Sequence, residues 1–258
     1  MLSSIKEKIN TEFIGKKILY YNTTDSTNLE AKRNCHHPDG TVFIANHQTN
    51  GRGRLSREWA SDSSNGIYMS ILLKPTLTPE DISKITLIAG LSVTSALNKI
   101  SKEKTYIKWP NDCVLNQKKV CGILTELSIT NSENNVIVGI GINVNNTSFS
   151  DELKDKATSL FLENHKTFDC SEIIALTLSE FEIYYSLFLK QGFSSLIDEY
   201  SSLCITIGRE VEIITPSEKY TAKAIGITSE GELLIEREGL TEKLKSGEVS
   251  VRGFFGYI

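Results

Sequence analysis

Residues 41–73, TVFIANHQTNGRGRLSREWASDSSNGIYMSILL, read as strand, loop and strand in one continuous stretch. Thr41 to Asn46 is a short apolar run of the kind that forms a buried strand. Ile67 to Leu73 is another, and it stops before Pro75. The loop between them contains Gly51-Arg52-Gly53-Arg54-Leu55-Ser56-Arg57-Glu58-Trp59, with three arginines, two glycines and one of the chain's two tryptophans. Glycine lets a backbone turn sharply and come close to a ligand. Arginine stays charged and presents a planar fork that matches carboxylate and phosphate oxygens. An indole can stack on a base or cover an apolar group. Two buried strands joined by such a loop predict a sheet that delivers an anion-handling segment to one edge.

Outward from this stretch the pattern is α/β. Ile82, Ile85, Ile88, Ala89, Val93, Ala96, Leu97 and Ile100 fall at helical spacing, so Pro79 to Ile100 is predicted as a core-facing helix. Thr78 suits its N-cap and Pro79 its first position. Tyr106–Trp109, Cys113–Leu115, Val120–Leu127 and Val136–Ile142 read as consecutive strands, with turns at Asn116–Lys118 and Asn131–Asn135. Ser171 to Gln191 reads as a second helix, ended by Gly192, and Phe193 to Leu203 as a shorter one. After Cys204 the texture changes to five short segments: Val211–Ile214, Tyr220–Ile227, Glu232–Ile235, Glu242–Leu244 and Val249–Arg252. Turn signals separate them at Pro216-Ser217, Ser229–Gly231, Glu238-Gly239 and Ser246-Gly247, a pattern that predicts a small β-barrel. The expected division is residues 1–203 and 204–258, with the small part packed on the large one.

Composition narrows the function. The chain has 258 residues, 40% of them hydrophobic, and 28 basic against 32 acidic side chains give a net charge of −4. That field argues against nucleic acid as the main partner. The C-terminal part carries 7 basic and 9 acidic residues and is no basic module either. Cys35, Cys113, Cys121, Cys170 and Cys204 are odd in number and lack a C-x-x-C pair, as expected for reduced thiols. The four histidines lack ligand spacing. Neither a signal-length apolar run near the N-terminus nor a membrane-length stretch occurs, so a cytoplasmic protein without a membrane partner is expected.

Five further segments carry chemistry. Asp25-Ser26-Thr27-Asn28 opens a helix, where Ser or Thr serves as a cap or, alternatively, the cluster meets a polar ligand. Gln48 sits at a strand end and can donate and accept at once. Lys108-Trp109-Pro110-Asn111-Asp112 concentrates a lysine, an amide and a carboxylate at a rigid bend. Lys119 enters an apolar strand in which Gly122 marks a close approach, and only the register decides where Lys119 points. Gly139-Ile140-Gly141-Ile142-Asn143 fits backbone lying flush against a planar ligand. It opens no helix, and no G-x-x-x-x-G-K-[ST] occurs, so neither a Rossmann nor a P-loop site is supported.

These motifs, in this order and with Val120 to Glu126 between the last two, resemble the succession found in biotin protein ligases. The resemblance implies an α/β catalytic domain of the class II aminoacyl-tRNA synthetase and biotin ligase type, followed by an SH3-like barrel. It implies activation of biotin by ATP as biotinyl-5′-AMP, then transfer to a lysine of a biotin carboxyl carrier protein or domain. Arg52, Arg54 and Lys119 are then placed about the biotin carboxylate and α-phosphate as the catalytic cations. Ser26, Thr27, Asn28 and Gln48 pair with the polar end of biotin, with Gly53 and Gly122 beside it. Arg54, Arg57, Trp59, Lys108, Asn111, Asp112, Asn143 and Arg252 fall to the adenylate. Asp112 is also the implied ligand of Mg2+, and no tightly bound prosthetic group is expected. The arginine loop resembles a lid ordered by ligand anions, which would appear as protease protection by biotin plus ATP.

One departure concerns Ser56, which stands where the family usually has glycine and where a positive φ is harder to hold. Another concerns the N-terminus. Ser26-Thr27-Asn28 comes too early for the helix-turn-helix that some members carry, so a monofunctional ligase that binds no operator DNA is expected. Homodimers formed by sheet edges occur in the family, but no decisive edge is legible here. The rival readings are a lipoate–protein ligase and a non-catalytic biotin-sensing protein.

Overall fold

The computed structural model describes residues 2–61, 65–130, 133–215, 217–247, 249–253 and 257–258. In chain order the larger part contains α1 (Leu2–Lys8), β1 (Ile18–Thr24), α2 (Thr27–Arg33), β2 (Thr41–Gln48), β3 (Gly66–Leu73) and α3 (Pro79–Ile100). It continues with β4 (Thr105–Lys108), β5 (Asp112–Leu115), β6 (Lys118–Thr130), β7 (Glu133–Asn143), α4 (Leu160–Asn164), α5 (Cys170–Gln191) and α6 (Ile197–Leu203). A single 3-10 turn, Phe193–Leu196, leads into α6, so the predicted third helix is a 3-10 and α tandem.

The seven strands form one sheet in the order β1-β2-β3-β7-β6-β5-β4. Only β1 and β2 run parallel; the other neighbours are antiparallel. Period-two alternation then divides the residues between two faces. Ile67, Met69, Ile71 and Leu73 of β3 join Val136, Val138, Ile140 and Ile142 of β7 in the main core, against which α3 and α5 pack. Each such side chain, fully buried, contributes about 1.5–3 kcal/mol. On the other face Ala31 of α2 and Cys35, just beyond its end, cover Phe43, Leu72 and Ile137. That helix is short, so part of this face is left for a pocket.

α3 begins as its sequence dictates: Thr78 accepts a hydrogen bond from the Asp81 amide and Pro79 occupies the first turn. Asn116 and Gln117 both take positive φ, the geometry of a two-residue hairpin turn between β5 and β6. The expected turn at Asn131–Asn135 is shorter than read: Asn134 and Asn135 pair with Ile129 and Ser128 inside β7. Cross-strand pairing overrides the weak strand preference of asparagine, and Asn131 lies outside the described residues. All five cysteines are free and buried. No helix among the described residues is long and apolar enough to cross a membrane.

The remainder folds as a second antiparallel sheet: β8 (Glu210–Ile214), β9 (Lys219–Ile227), β10 (Leu233–Arg237), β11 (Leu240–Leu244) and β12 (Ser250–Gly253). Its order is β11-β10-β9-β8-β12. The predicted turn at Pro216-Ser217 falls partly outside the described residues. This sheet docks on the first through Trp109. The Trp109 amide donates to Thr206 Oγ1 at 3.0 Å and its indole Nε1 to the Gly231 carbonyl at 3.1 Å. Lys84 of α3 adds an ion pair to Glu230 at 2.6 Å.

Candidate active site

Two cavities meet on the face of the large sheet opposite α3 and α5. The inner one has a floor of glycine. Gly139 and Gly141 alternate with core-facing Val138, Ile140 and Ile142, and Gly122 lies directly opposite Gly141 in register. A Cβ on Gly141 would meet Trp59 Nε1 at 2.7 Å, and one on Gly139 would meet Asn28 Cγ at 2.9 Å. Glycine at every second position therefore strips one strand face bare without weakening the core face.

Uncharged hydrogen-bonding groups form one wall of this pocket. Ser26 occupies the N-cap position of α2, yet its side chain makes no capping bond; it lines the pocket instead. Gln48 Oε1 accepts from the Thr27 amide at 2.8 Å, and Gln48 Nε2 donates to Ser61 at 3.0 Å. Asn28 Oδ1 lies 2.6 Å from Ser70 Oγ, while Asn28 Nδ2 donates to Glu126 at 2.8 Å. Arg52, Gly53, Arg54, Lys119 and Gly122 complete the lining, so every residue assigned to biotin from sequence borders one cavity.

Lys119 reaches it through a β-bulge. Cys113 pairs with Cys121 but the next residue, Val114, pairs with Lys119. The extra residue, Val120, is buried along with Cys121, and the slip turns Lys119 onto the glycine face. There its ammonium would sit 3.0 Å from a Cβ on Gly122 and is 2.6 Å from Asp112 Oδ1.

The outer cleft, about 880 Å3, adjoins the inner pocket at Lys119, Arg54 and Trp59. Arg57, Lys108, Asn111, Asp112, Asn143 and Arg252 line it, so the eight residues assigned to the adenylate also share one space. Asn143 is buried, with its amide donating to the Thr158 carbonyl. Burial holds Lys108 down to about 8; Asp112 opposes that effect, and Lys119, Arg252 and Arg57 add to it. Burial also drives Arg54 below the usual guanidinium value. Asp112 behaves oppositely: burial pushes it up, but Lys119 and the Tyr257 hydroxyl outweigh that and hold it below the ordinary range.

The structure departs from the sequence reading at four points. Arg52 and Arg54 do not converge: Arg52 approaches Glu126 at 3.3 Å, whereas Arg54 donates to Asn111 at 2.8 Å and to the Ser246 carbonyl. Leu55, not Ser56, carries the positive φ of the loop, at 55°. Asp112 does not fit as a magnesium ligand, because Lys119 takes Oδ1, the Tyr257 hydroxyl takes Oδ2, and cations surround it. Among the described residues no group of three or more His, Cys, Asp or Glu could hold a metal ion. Finally, the inner cavity measures only about 50 Å3, room for water and not for a fused ring. Trp59 and Lys119 fill the space beside Gly122. The buried Trp59 Nε1 meets no hydrogen-bond partner among the described residues, a cost of about 1–3 kcal/mol that favours movement of the indole.

Sequence reasoning missed Glu126, Ser70 and Tyr257. Ser70 was hidden in an apolar strand, and Glu126 in a motif without an assigned role. Tyr257 accepts a hydrogen bond from Lys108 at its carbonyl and has the Lys108 ammonium 3.8 Å from its ring centroid; nothing in its sequence neighbourhood signals this.

With the geometry in hand, the relatives are informative. Residues 20–143 match the Biotin/lipoate A/B protein ligase family, and residues 206–252 match the Biotin protein ligase C terminal domain. The chain is 37% identical to the Bifunctional ligase/repressor BirA of Bacillus spizizenii, over 96% of this chain and 78% of that protein. It is 31% identical to the Biotin--[acetyl-CoA-carboxylase] ligase of Mycobacterium tuberculosis, covering 82% and 79% of the two chains. A structure of biotin protein ligase from Aquifex aeolicus in complex with biotin and ATP superposes with a TM-score of 0.84 at 35% identity, covering 92% of this chain and 99% of that one. A two-sheet fold with a glycine-floored pocket opening into a cationic cleft is thus the architecture of a nucleotide-dependent ligase. The chain belongs to the biotin/lipoate A/B protein ligase family, among the biotin protein ligases.

Proposed function

We propose that the protein joins biotin to ATP and passes the biotinyl group to a lysine of a carrier protein. The observation that carries this reading is the meeting of a neutral, hydrogen-bonding pocket and a cationic cleft at one lysine, Lys119. Ser26, Thr27, Asn28 and Gln48 offer donors and acceptors for the ureido group, and the glycine floor accepts the fused ring. A carboxylate leaving that pocket reaches Lys119 and the arginine loop. Lys108, Arg57 and Arg252 supply charge for the phosphates, with Asn111 and Asn143 beside the adenylate and Trp59 covering it.

The chemistry follows from that placement. A carboxylate and a triphosphate repel, and fixed cations stabilise the charge that builds as they meet. A biotin carboxylate oxygen bonds to the α-phosphorus, and pyrophosphate leaves. The carrier's lysine nitrogen then attacks the acyl carbon, an amide forms, AMP leaves and the amine loses its proton. Holding the reactants in line is worth roughly 7–11 kcal/mol in favourable cases. Mg2+ would arrive with the phosphate oxygens, and no step here is assigned to it. For biotin to lie on Gly122 the indole of Trp59 must swing away, which makes the loop a lid. The acceptor is a biotin carrier domain of a carboxylase, and residues 1–203 and 204–258 are the catalytic and C-terminal domains.

The test is pyrophosphate release with ATP and biotin, repeated with lipoate. Release with biotin only is expected. Release with lipoate supports a lipoate ligase, and release with neither supports a binding protein.

A further inference from the structure

Glu126 lies four residues beyond Gly122 on β6 and faces the same side of the sheet, yet the proposed chemistry gives it no task. It is the anionic hinge of three elements. Glu126 Oε2 accepts from Asn28 Nδ2 at 2.8 Å, and Oε1 accepts from Lys32 at 2.7 Å. Arg52 of the arginine loop stands 3.3 Å from the same Oε1. The Glu126 side chain is only 16% exposed, so one carboxylate gathers two cations and an amide largely out of water.

A carboxylate can only accept, whereas a carboxamide has two unlike ends. Glu126, together with the Leu124 carbonyl 3.3 Å from the same nitrogen, therefore makes Asn28 present its Nδ2, and Asn28 Oδ1 faces Ser70 and the pocket. Turned the other way, the amide would set oxygen against carboxylate. Ser70 Oγ gives its one proton to Asn28 Oδ1 and lies 2.8 Å from Thr27 Oγ1, while the Thr27 backbone amide orients Gln48. One orientation at Asn28 thus fixes the hydroxyl of Ser70 beside it. Burial pushes Glu126 up, but the bonds from Lys32 and Asn28 outweigh it and keep the carboxylate ionised, which preserves its acceptor-only character.

We infer that Glu126 is a positioning residue for the inner pocket: it orients the Asn28 amide toward the ligand and anchors Arg52 of the loop at the rim. This rests on the biotin reading above. A mere ion pair with Lys32 does not account for the arrangement, since the other two partners, Asn28 and Arg52, both line the site.

The test compares Glu126→Gln with Lys32→Met in the intact enzyme. Glutamine keeps the shape but adds a donor, so either Asn28 or the cations meet a second N–H. The expected result is a rise of about tenfold in the KM for biotin, one lost well-placed hydrogen bond, with the KM for ATP within twofold. Lys32→Met leaves the Asn28 contact in place and is expected to keep the biotin KM within about threefold. Glu126→Ala leaves Asn28 Nδ2 only its 3.3 Å bond to the Leu124 carbonyl and is expected to repeat the biotin-selective rise should the glutamine variant not fold. An unchanged biotin KM, an equal rise for ATP, or an equal rise in Lys32→Met overturns the proposal while a working wild-type enzyme leaves the ligase reading intact. Absence of biotin-dependent pyrophosphate release from the wild type overturns both.

Discussion

The inner pocket and the outer cleft share Lys119, but they are built on different physical terms. Apart from Arg52, Arg54 and Lys119, the groups lining the pocket are uncharged, and those of its wall are tied to one another: Gln48 to Thr27, Thr27 to Ser70, Ser70 to Asn28. The cleft is assembled from far apart. Arg54 of the loop donates to a carbonyl of the C-terminal sheet at Ser246, and Lys108 to that of Tyr257. A neutral ligand end is discriminated by donor and acceptor placement, which demands rigidity. A polyanion is held by summed charge, which tolerates partners on separate, movable parts. Precision is therefore needed in the pocket, and closure in the cleft.

Three experiments test that contrast. The largest effect is expected at the junction. Lys119→Ala should lower biotin-dependent pyrophosphate release roughly a hundred- to a thousandfold. A rate within tenfold of wild type removes Lys119 from the site. Because the change leaves buried Asp112 unpaired, the same measurement on Lys119→Ala/Asp112→Asn separates charge loss in catalysis from damage to the fold.

A smaller effect is expected on the pocket floor. In Gly139→Ala the new Cβ would stand 2.9 Å from Asn28 Cγ and 3.0 Å from its Nδ2. Asn28 must yield, so the KM for biotin should rise about tenfold, the cost of one or two disturbed hydrogen bonds. The KM for ATP should stay within about threefold. Equal changes in both would mean that the pocket and the cleft are not separable.

The smallest effect is in the cleft and depends on pH. Lys108 is held down to about 8, chiefly by burial. Below that pH it is charged and meets phosphate directly. Above it the lysine is neutral in the free enzyme, so nucleotide binding must first return a proton. Apparent ATP affinity should therefore be flat well below pH 8 and weaken as pH rises, by about fourfold at pH 8.5. Calorimetry in buffers of different ionisation enthalpy should detect proton uptake at the higher pH. Flat affinity from pH 7 to 9 would detach Lys108 from the nucleotide.

Much of the scaffold was legible because local signals agreed with the global fold. Pro79 to Ile100 was bounded by its cap and its period, and the observed helix has the same ends. The five short C-terminal segments all appear as strands, with ends shifted by a residue or two. The missed elements are those without period or isolation. α1 spans seven residues with only Ile5 buried, too short for a stripe. β1 is an edge strand that is half exposed and pairs in parallel with β2, so it shows no alternation. The relative reach of Arg52 and Arg54 was also illegible, because alternate residues of a loop have no fixed faces.

Strand period and turn chemistry are local, so the two sheets and the glycine floor were legible in the chain alone, while the side chains that border the cavities were named through the family resemblance of its motifs. Residues two apart on a strand share a face whatever lies elsewhere, which is why Gly139, Gly141 and Asn143 were readable as one surface. Tertiary structure decided where the charges point. The bulge at Val120 turned Lys119 toward the glycines, Leu55 rather than Ser56 took the left-handed backbone, and Asp112 was given to Lys119 and Tyr257. Each depends on register or on partners more than a hundred residues away in some cases, and electrostatic choice among partners is made only after the chain has brought them together.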